Sequence, residues 1–598
     1  MKRVSKKVSF GRKLTAVALS AAMAFSVAGC GGSSGSAKEE NTYKVWLYSA
    51  QDASYYTDYA ENPALKYLMD RTWGEEDKKI SLEFLVPPAG SQLNNYETMM
   101  TSGDFPTLMQ NSVADAAPGM YESGIILDLT DLVQQHMPNY YSLLQSNEEL
   151  KARAVYNIDG EDKILALYVA NDDYPYYFSG MMYRRDWIVK YGTNPQTGET
   201  FTGGYTDPTD LDSWVDDVVF PSGNTDPVYI SDWEWMFEIF TKAQEALGIT
   251  DSYCTSIYYP GYTWSGGLCS CFGEGIPVFY KASDGTAQFG GDKDSMRAYL
   301  QCLNNWYEKG WLDPDFNERT SDIFYAIDDT SIRTGKVGMW MGIQGELGGR
   351  LDLHDGGLTE GIYAAGCAWP VNDIYGTDAC KNVEPRCISS ATSMVGTGFY
   401  VMEGADEKDL PTLLSFLDYL YSEEGAAIHT LGLNAQQMAE DGVDKTFYEA
   451  QGLADGAYMM GEDGRYVEAD ALVNDAGNLL IAVSLEKLPG MQLVKNVDKG
   501  YKETYEHSLQ NWIQYKNLGM INGSNVTNNM PSEEYKMLED QQTKLLNYME
   551  LHAYEFIKGI TDIDSDDDWN TWCTMLQKYN YQKVVDMLQP YIDAYPQL

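Results

Sequence analysis

Cys30 closes the tetrapeptide Val27-Ala28-Gly29-Cys30. Small residues before a cysteine let a peptidase grip the chain, and the thiol can then accept a diacylglycerol through its sulfur. Cleavage would leave Cys30 as the new N-terminus. Lys2, Arg3, Lys6, Lys7, Arg12 and Lys13 form a basic head, and Leu14 to Ala28 carries no charge. That apolar run is too short to span a bilayer comfortably and fits the apolar region of a secretory signal. The pattern is that of a bacterial lipobox, with lipidation at Cys30. GGSSGSAKEEN follows as a flexible polar tether. Residues 1–29 are therefore predicted to be a lipoprotein signal peptide and 30–42 the tether. The chain from Tyr43 is predicted to be a body tied by lipid to the extracellular face of the cytoplasmic membrane.

Beyond Cys30 the sequence carries little that could break or form bonds. The body has no Gly-x-Ser-x-Gly elbow, no Walker loop and no His-Glu-x-x-His. Its five histidines (His136, His354, His429, His507, His552) are scattered, which disfavours zinc hydrolysis and histidine-based acyl transfer. Asp562-x-Asp564-x-Asp566 opens like a calcium loop. However, Asp567 stands where glycine is needed and Cys573 where a bidentate glutamate is needed. The run DIDSDDDW instead suits an N-cap and acidic first turn. Asp172-Asp173 and Asp216-Asp217 are paired acids, but adjacent acids rarely face each other, and nothing marks a general acid and base. Eight cysteines remain: Cys254, Cys269, Cys271, Cys302, Cys367, Cys380, Cys387 and Cys573. They lack paired knuckles and nearby histidine, so a zinc site is disfavoured, while bridges and buried thiols both stay open. No cofactor and no metal is expected.

The elements that would position a site are those of a large acidic body. The 598 residues suffice for two or more cores, and the formal charge is −46. Such a field repels nucleic acid and anionic lipid. Aromatics reach 13%, with 45 Tyr and 14 Trp, the flat faces and polar tips that stack on sugar rings. Tyr43 to Ala50 reads as a strand, with Gln51-Asp52-Ala53-Ser54 in the loop at its end. A helix over Asn62 to Arg71 with Pro63 in its first turn, a strand over Ile80 to Val86, a helix over Leu93 to Thr101, then the turn and strand of Ser102 to Gln110 follow. That alternation predicts a parallel α/β sheet with ligands beyond its carboxyl ends. Leu413, Leu417, Leu420 and Tyr421 share one face of a helix, and Ser532 is a candidate N-cap for a long helix reaching Phe556. Residues 192–233 read as a surface excursion. Tyr253 to Phe279 is a glycine-rich aromatic loop that either presents rings to a ligand or packs on itself.

SGDFPTLMQ (Ser102 to Gln110), ESGIILDLTDLVQQHMPN (Glu122 to Asn139), MMYRRDWIVKYG (Met181 to Gly192), RTGKVGMWMGIQGEL (Arg333 to Leu347) and LLSFLDYLYSEEGAAIHTLG (Leu413 to Gly432) occur in that order. The five segments resemble those of bacterial extracellular solute-binding proteins of the sugar-binding, maltose-binding-protein-like type. The segments resemble in particular those of the long lipoproteins that serve Gram-positive ABC importers. The resemblance implies two α/β lobes with several crossings between them and a ligand cleft. The first lobe would run over 43–167, the second over 168–388, a return to the first over 389–485, and 486–598 mainly in the second. It implies an oligosaccharide ligand, ABC permease subunits as partners, no nucleic acid, and a monomer that binds without turnover. Cleft positions carried over are Ser49, Gln51 and Asp52 after the first strand, and the turn at Asp104. On the second lobe they are Tyr262, Trp264, Trp340, Gln344, Trp369 and Asp373, with Trp340 foremost. A surface glycoside hydrolase or lyase, and a receptor for peptides or signals, remain open beside this reading.

Overall fold

Tyr43 and Val45 turn inward along the first strand while Thr42 and Lys44 face water, so one face of it is committed to a core. The computed structural model describes residues 41–595, save 50–54, 115–116, 176–178, 202–217, 258–266, 319–330, 333, 344–363, 389–392, 406–408, 441–442, 474–477, 499–502, 516–517 and 522–523. In chain order the strands are β1 (Asn41–Trp46), β2 (Ile80–Leu85), β3 (Leu108–Gln110), β4 (Val155–Ile158), β5 (Glu161–Ile164), β6 (Leu167–Asn171), β7 (Ser179–Arg184) and β8 (Phe279–Lys281). There follow β9 (Ala287–Phe289), β10 (Met339–Ile343), β11 (Ala364–Cys367), β12 (Val395–Val401), β13 (Tyr458–Met460), β14 (Tyr466–Glu468), β15 (Met491–Gln492) and β16 (Val497–Asp498).

The larger sheet has the order β15-β6-β12-β3-β1-β2. β1 is parallel to β2 and β3, β12 antiparallel to β3 and β6, and β15 parallel to β6. All its strands but β12 thus point one way. The helices between them start and stop where the sequence dictates. Asn62 caps Pro63–Met69 by accepting from Leu65 N at 3.0 Å, and Pro63 sits where its missing N–H costs nothing. Gln92–Ser102 ends at Gly103, whose φ of 71° is the left-handed cap that glycine adopts freely. Leu410–Tyr419 buries Leu413 and Leu417 against the same sheet.

A second sheet, β10-β7-β11, is antiparallel throughout. Its two faces alternate as a strand must. Met181, Tyr183, Met339, Met341 and Cys367 enter a large core completed by the helices Ile230–Leu247, Asp294–Glu308, Ser532–Ile557, Asp566–Lys578 and Gln582–Ala594. Met182, Trp340 and Ala364 face the other way, under Leu509 and Trp512 of the helix Glu503–Ile513. Gly180 and Gly366 make room for the indole: a Cβ on either would lie 2.4 Å or 2.9 Å from Trp512. The long helix begins at Ser532 with Pro531 as its N-cap, one residue earlier than the sequence suggested. DIDSDDDW behaves as read: Ser565 caps Asp566–Lys578 by accepting from Asp568 N at 3.2 Å, with three aspartates in the first turn.

Among the described residues two large hydrophobic cores stand out beside the small cluster under Trp512. One gathers residues from 43 to 170 and from 395 to 488, the other residues from 181 to 388 and from 521 to 592. The chain passes between them three times: between Ala170 and Met181, between Ile388 and Val395, and between Val497 and Leu509. Two expected boundaries need correction. The division at 167/168 falls inside β6, whose residues pair in the first sheet. The return does not stop at 485, because Met491 pairs with Ala170 and Val497 with Tyr466.

Candidate ligand-binding cleft

Strand direction places the site. β1, β3 and β6 end at one edge of the first sheet, and β12, running the other way, begins there. The first crossing leaves from the end of β6 and the second arrives at the start of β12. In the second sheet β7 starts beside the ends of its antiparallel neighbours, since Ser179 pairs with Ile343 and Met181 with Cys367. The crossings thus join the carboxyl-terminal edge of one sheet to the matching edge of the other, and a cleft between lobes opens at those edges.

The first wall carries an apolar lip backed by amides. Tyr48 lies just past β1, is 38% exposed, and donates its N–H to Gln110 Oε1 at 2.7 Å. Val86 and Leu93, at the end of β2 and the start of Gln92–Ser102, are exposed beside the same edge. Trp46 Nε1 donates to Asn95 Oδ1 at 2.8 Å. Aromatic and aliphatic surface next to amide groups suits a ligand with flat apolar faces and a hydroxyl rim. Tyr48 was missed in the sequence because the strand was read through to Ala50; its place one step past the buried run Val45 to Leu47 was the available signal.

At the far end of β7, away from the cleft edge, the second sheet is anchored by a buried ion pair. Arg184 Nε donates to Asp186 Oδ1 at 2.8 Å, and its guanidinium lies 4.1 Å from the Trp187 ring centroid. Arg185 Nη1 donates to Tyr183 OH at 2.7 Å and to Thr225 O at 3.1 Å. Burial pushes the Tyr183 phenol well above its usual range, so it stays protonated. His507 meets Asp226, and Asn511 Nδ2 donates to Gly366 O at 3.2 Å. These contacts fasten Glu503–Ile513, the first helix after the third crossing, to the edge of β11.

The candidate residues fare unequally. Ser49 sits at the cleft edge after β1, half-buried. Gln51, Asp52, Tyr262, Trp264, Gln344 and Cys30 lie outside the described residues. Asp104 is a correction: it is exposed in the turn before β3, hence at the opposite edge of the sheet from the cleft. Trp340 is another. It is 1% exposed and packed among Met182, Leu509 and Trp512, where no ligand reaches it in this conformation. Trp369 and Asp373 are brought together around the start of Ile230–Leu247. Trp369 is buried against Gly267 and 6.5 Å from the Trp233 ring, and Asp373 Oδ1 accepts from Ser231 N at 3.1 Å. Both are occupied in holding that helix. The paired acids Asp172 and Asp173 do not face each other: Asp172 accepts from Val494 N and Lys495 N, and Asp173 from Tyr174 N.

No family model and no curated protein matches the sequence. Solved structures do. An extracellular solute-binding protein from Bifidobacterium longum subsp. infantis superposes with a TM-score of 0.64 at 14% identity, covering 94% of this chain and 99% of that one. The fold is that of the extracellular solute-binding proteins. The same architecture is shared with the ABC-transporter substrate binding protein FusA of S. pneumoniae in complex with kestose. There the TM-score is 0.59 at 16% identity, over 93% of this chain and 99% of the other. An HMO-binding, ABC-transporter-associated solute binding protein from Bifidobacterium longum infantis gives 0.60 at 14% identity, over 94% and 100%. The likeness extends over nearly the whole body rather than one lobe of it. Among the described residues no helix is long and apolar enough to cross a membrane.

Proposed function

We propose that the protein is an extracellular receptor that captures an oligosaccharide between its two lobes and delivers it to an ABC importer. The observation that carries this reading is the pair of cores joined three times along the facing edges of two sheets. Two bodies linked in that way can close on a ligand that touches both, and the closed shape can be read by a permease. The sugar class is supported by the apolar lip of Tyr48, Val86 and Leu93 beside Asn95 and Gln110, and by the ligands of proteins of the same fold: kestose for one, HMO for another. Ser49, Gln51 and Asp52 on the first lobe, with Tyr262, Trp264 and Gln344 on the second, complete the proposed contact set. Lipid on Cys30 would anchor the receptor, and binding proceeds without turnover.

Calorimetry of the chain from Ser33 onward against fructan, milk-type and alginate-type oligosaccharides, with product analysis of the same samples, tests the reading. Micromolar or tighter binding with the sugar recovered intact is expected. Tyr48→Ala should weaken it about tenfold, the worth of roughly 1.4 kcal/mol of buried ring surface. Cleaved sugar, or no binding across the panel, would overturn it.

A further inference from the structure

Glu149 gathers two of the three crossings onto one carboxylate. One oxygen accepts from Ser393 Oγ on the second crossing, and the other accepts from Tyr174 OH on the first, at 3.4 Å. The stitching continues around it. Asn171, buried at the end of β6, donates its Nδ2 to Ser393 O at 3.3 Å and its backbone N to Met394 O at 2.8 Å. Val395 N donates to Ser393 Oγ at 3.0 Å. Asp172 Oδ1 accepts from Val494 N at 2.6 Å and Lys495 N at 3.1 Å, which ties the first crossing to the approach to the third. Glu149 itself rides on the helix Glu148–Ala154, which packs on β6 and β12 of the first lobe. Burial and the neighbouring Glu149 charge raise the Tyr174 phenol, keeping it a donor.

We propose that Glu149 is a positioning residue for lobe closure, its carboxylate holding the first and second crossings in one register. The proposal rests on the reading of the chain as a lobe-closing receptor. Asn171 and Asp172 bind the crossings mostly through backbone groups of adjoining strands. Glu149 alone among these three reaches both Tyr174 and Ser393 from a separate helix. Without it the two crossings are joined only through Asn171 and shift more freely, more lobe orientations are populated, and a ligand must re-order them on binding.

Single-molecule FRET on the ligand-free protein tests this, with dyes on non-cysteine labels at Met459 in the first lobe and Leu551 in the second, each 64% exposed. Glu149→Ala should broaden the interlobe distance distribution, and Tyr174→Phe and Ser393→Ala should each broaden it less. If Glu149→Ala does not fold, the two milder variants carry the test. An unchanged distribution, even with a lowered melting temperature, would overturn the proposal and leave Glu149 a plain structural contact. For any sugar the wild type binds, Glu149→Ala should lose affinity about tenfold, the scale of a hydrogen bond to a charged group. A wild type that binds no sugar would sink the receptor reading, while the ligand-free distributions would still decide the role of Glu149.

Discussion

Gly180→Ala loads the contact between β7 and the helix Glu503–Ile513 with one methyl group. That methyl would meet the Trp512 indole at 2.4 Å, about 1 Å inside the ~3.5 Å at which carbon atoms attract. The ring has little room to yield. It is 4% exposed, its Nε1 donates to Met181 O at 3.2 Å, and Gly366 also lies under it, where a Cβ would be 2.9 Å away. Gly180 is a strand residue without a positive φ, so the backbone itself accepts alanine. Overpacking of this kind costs about 1–3 kcal/mol, against about 0.4–1 kcal/mol regained because the unfolded chain loses glycine's freedom. A net loss of about 1–2 kcal/mol lowers the unfolding temperature of a lobe this size by roughly 2–8 °C. Trp512→Ala alone should cost more, about 3–5 kcal/mol, by emptying the site.

The two substitutions together separate this account from a general weakness of β7. In the Trp512→Ala background the methyl at 180 meets open space, so Gly180→Ala should cost nothing or stabilise. The double-mutant cycle, read by calorimetric unfolding of the second lobe, should give a coupling of at least about 1 kcal/mol. Should Trp512→Ala fail to fold, Trp512→Leu serves the same purpose. Equal costs for Gly180→Ala in both backgrounds would refute the steric argument.

Arg184→Met should destabilise by about 3–5 kcal/mol in denaturant titrations, because it strands the buried Asp186 carboxylate; adding Asp186→Leu should recover most of the loss. His429 is fully buried, its Nε2 lies 3.0 Å from Leu488 O, and burial lowers its pKa. The neutral ring therefore belongs to the folded state. Its contribution is complete above the unfolded value of about 6.5 and is lost as pH falls from there toward the lowered folded value, at up to about 1.4 kcal/mol per pH unit. Urea midpoints of the first lobe should fall less between pH 7.5 and 5.5 in His429→Phe than in the wild type. Parallel pH profiles would contradict this.

The first half of the first lobe was legible because its punctuation is local. Pro63 and Gly103 bound helices, and alternation marks β1 and β2, so strand-helix-strand-helix-strand could be written before any contact was known. The expected boundary cuts through β6 for a physical reason: all five of its residues are buried, and a strand without alternation does not say which sheet it belongs to. β15 and β16 are two residues each and leave no pattern at all. Asp104 was placed at the cleft by the likeness of its segment, whereas its side of the sheet follows only from the direction of β3.

Trp340 shows where the limit lies. Alternation along Met339, Trp340 and Met341 says correctly that the tryptophan faces away from the large core. A tryptophan facing out of a core on a strand reads as a ligand platform. What closes over it is the helix Glu503–Ile513, which returns from the first lobe more than 150 residues later and seats Leu509 and Trp512 on that face. The glycines that admit this cover, Gly180 and Gly366, lie on two neighbouring strands of one sheet, and neither is informative until β7 and β11 are paired. A strand's pattern fixes which face is apolar; only the topology decides whether that face meets a ligand or another helix. By the same logic the expected position Ser49 and its neighbour Tyr48 take their place from a strand's end and direction.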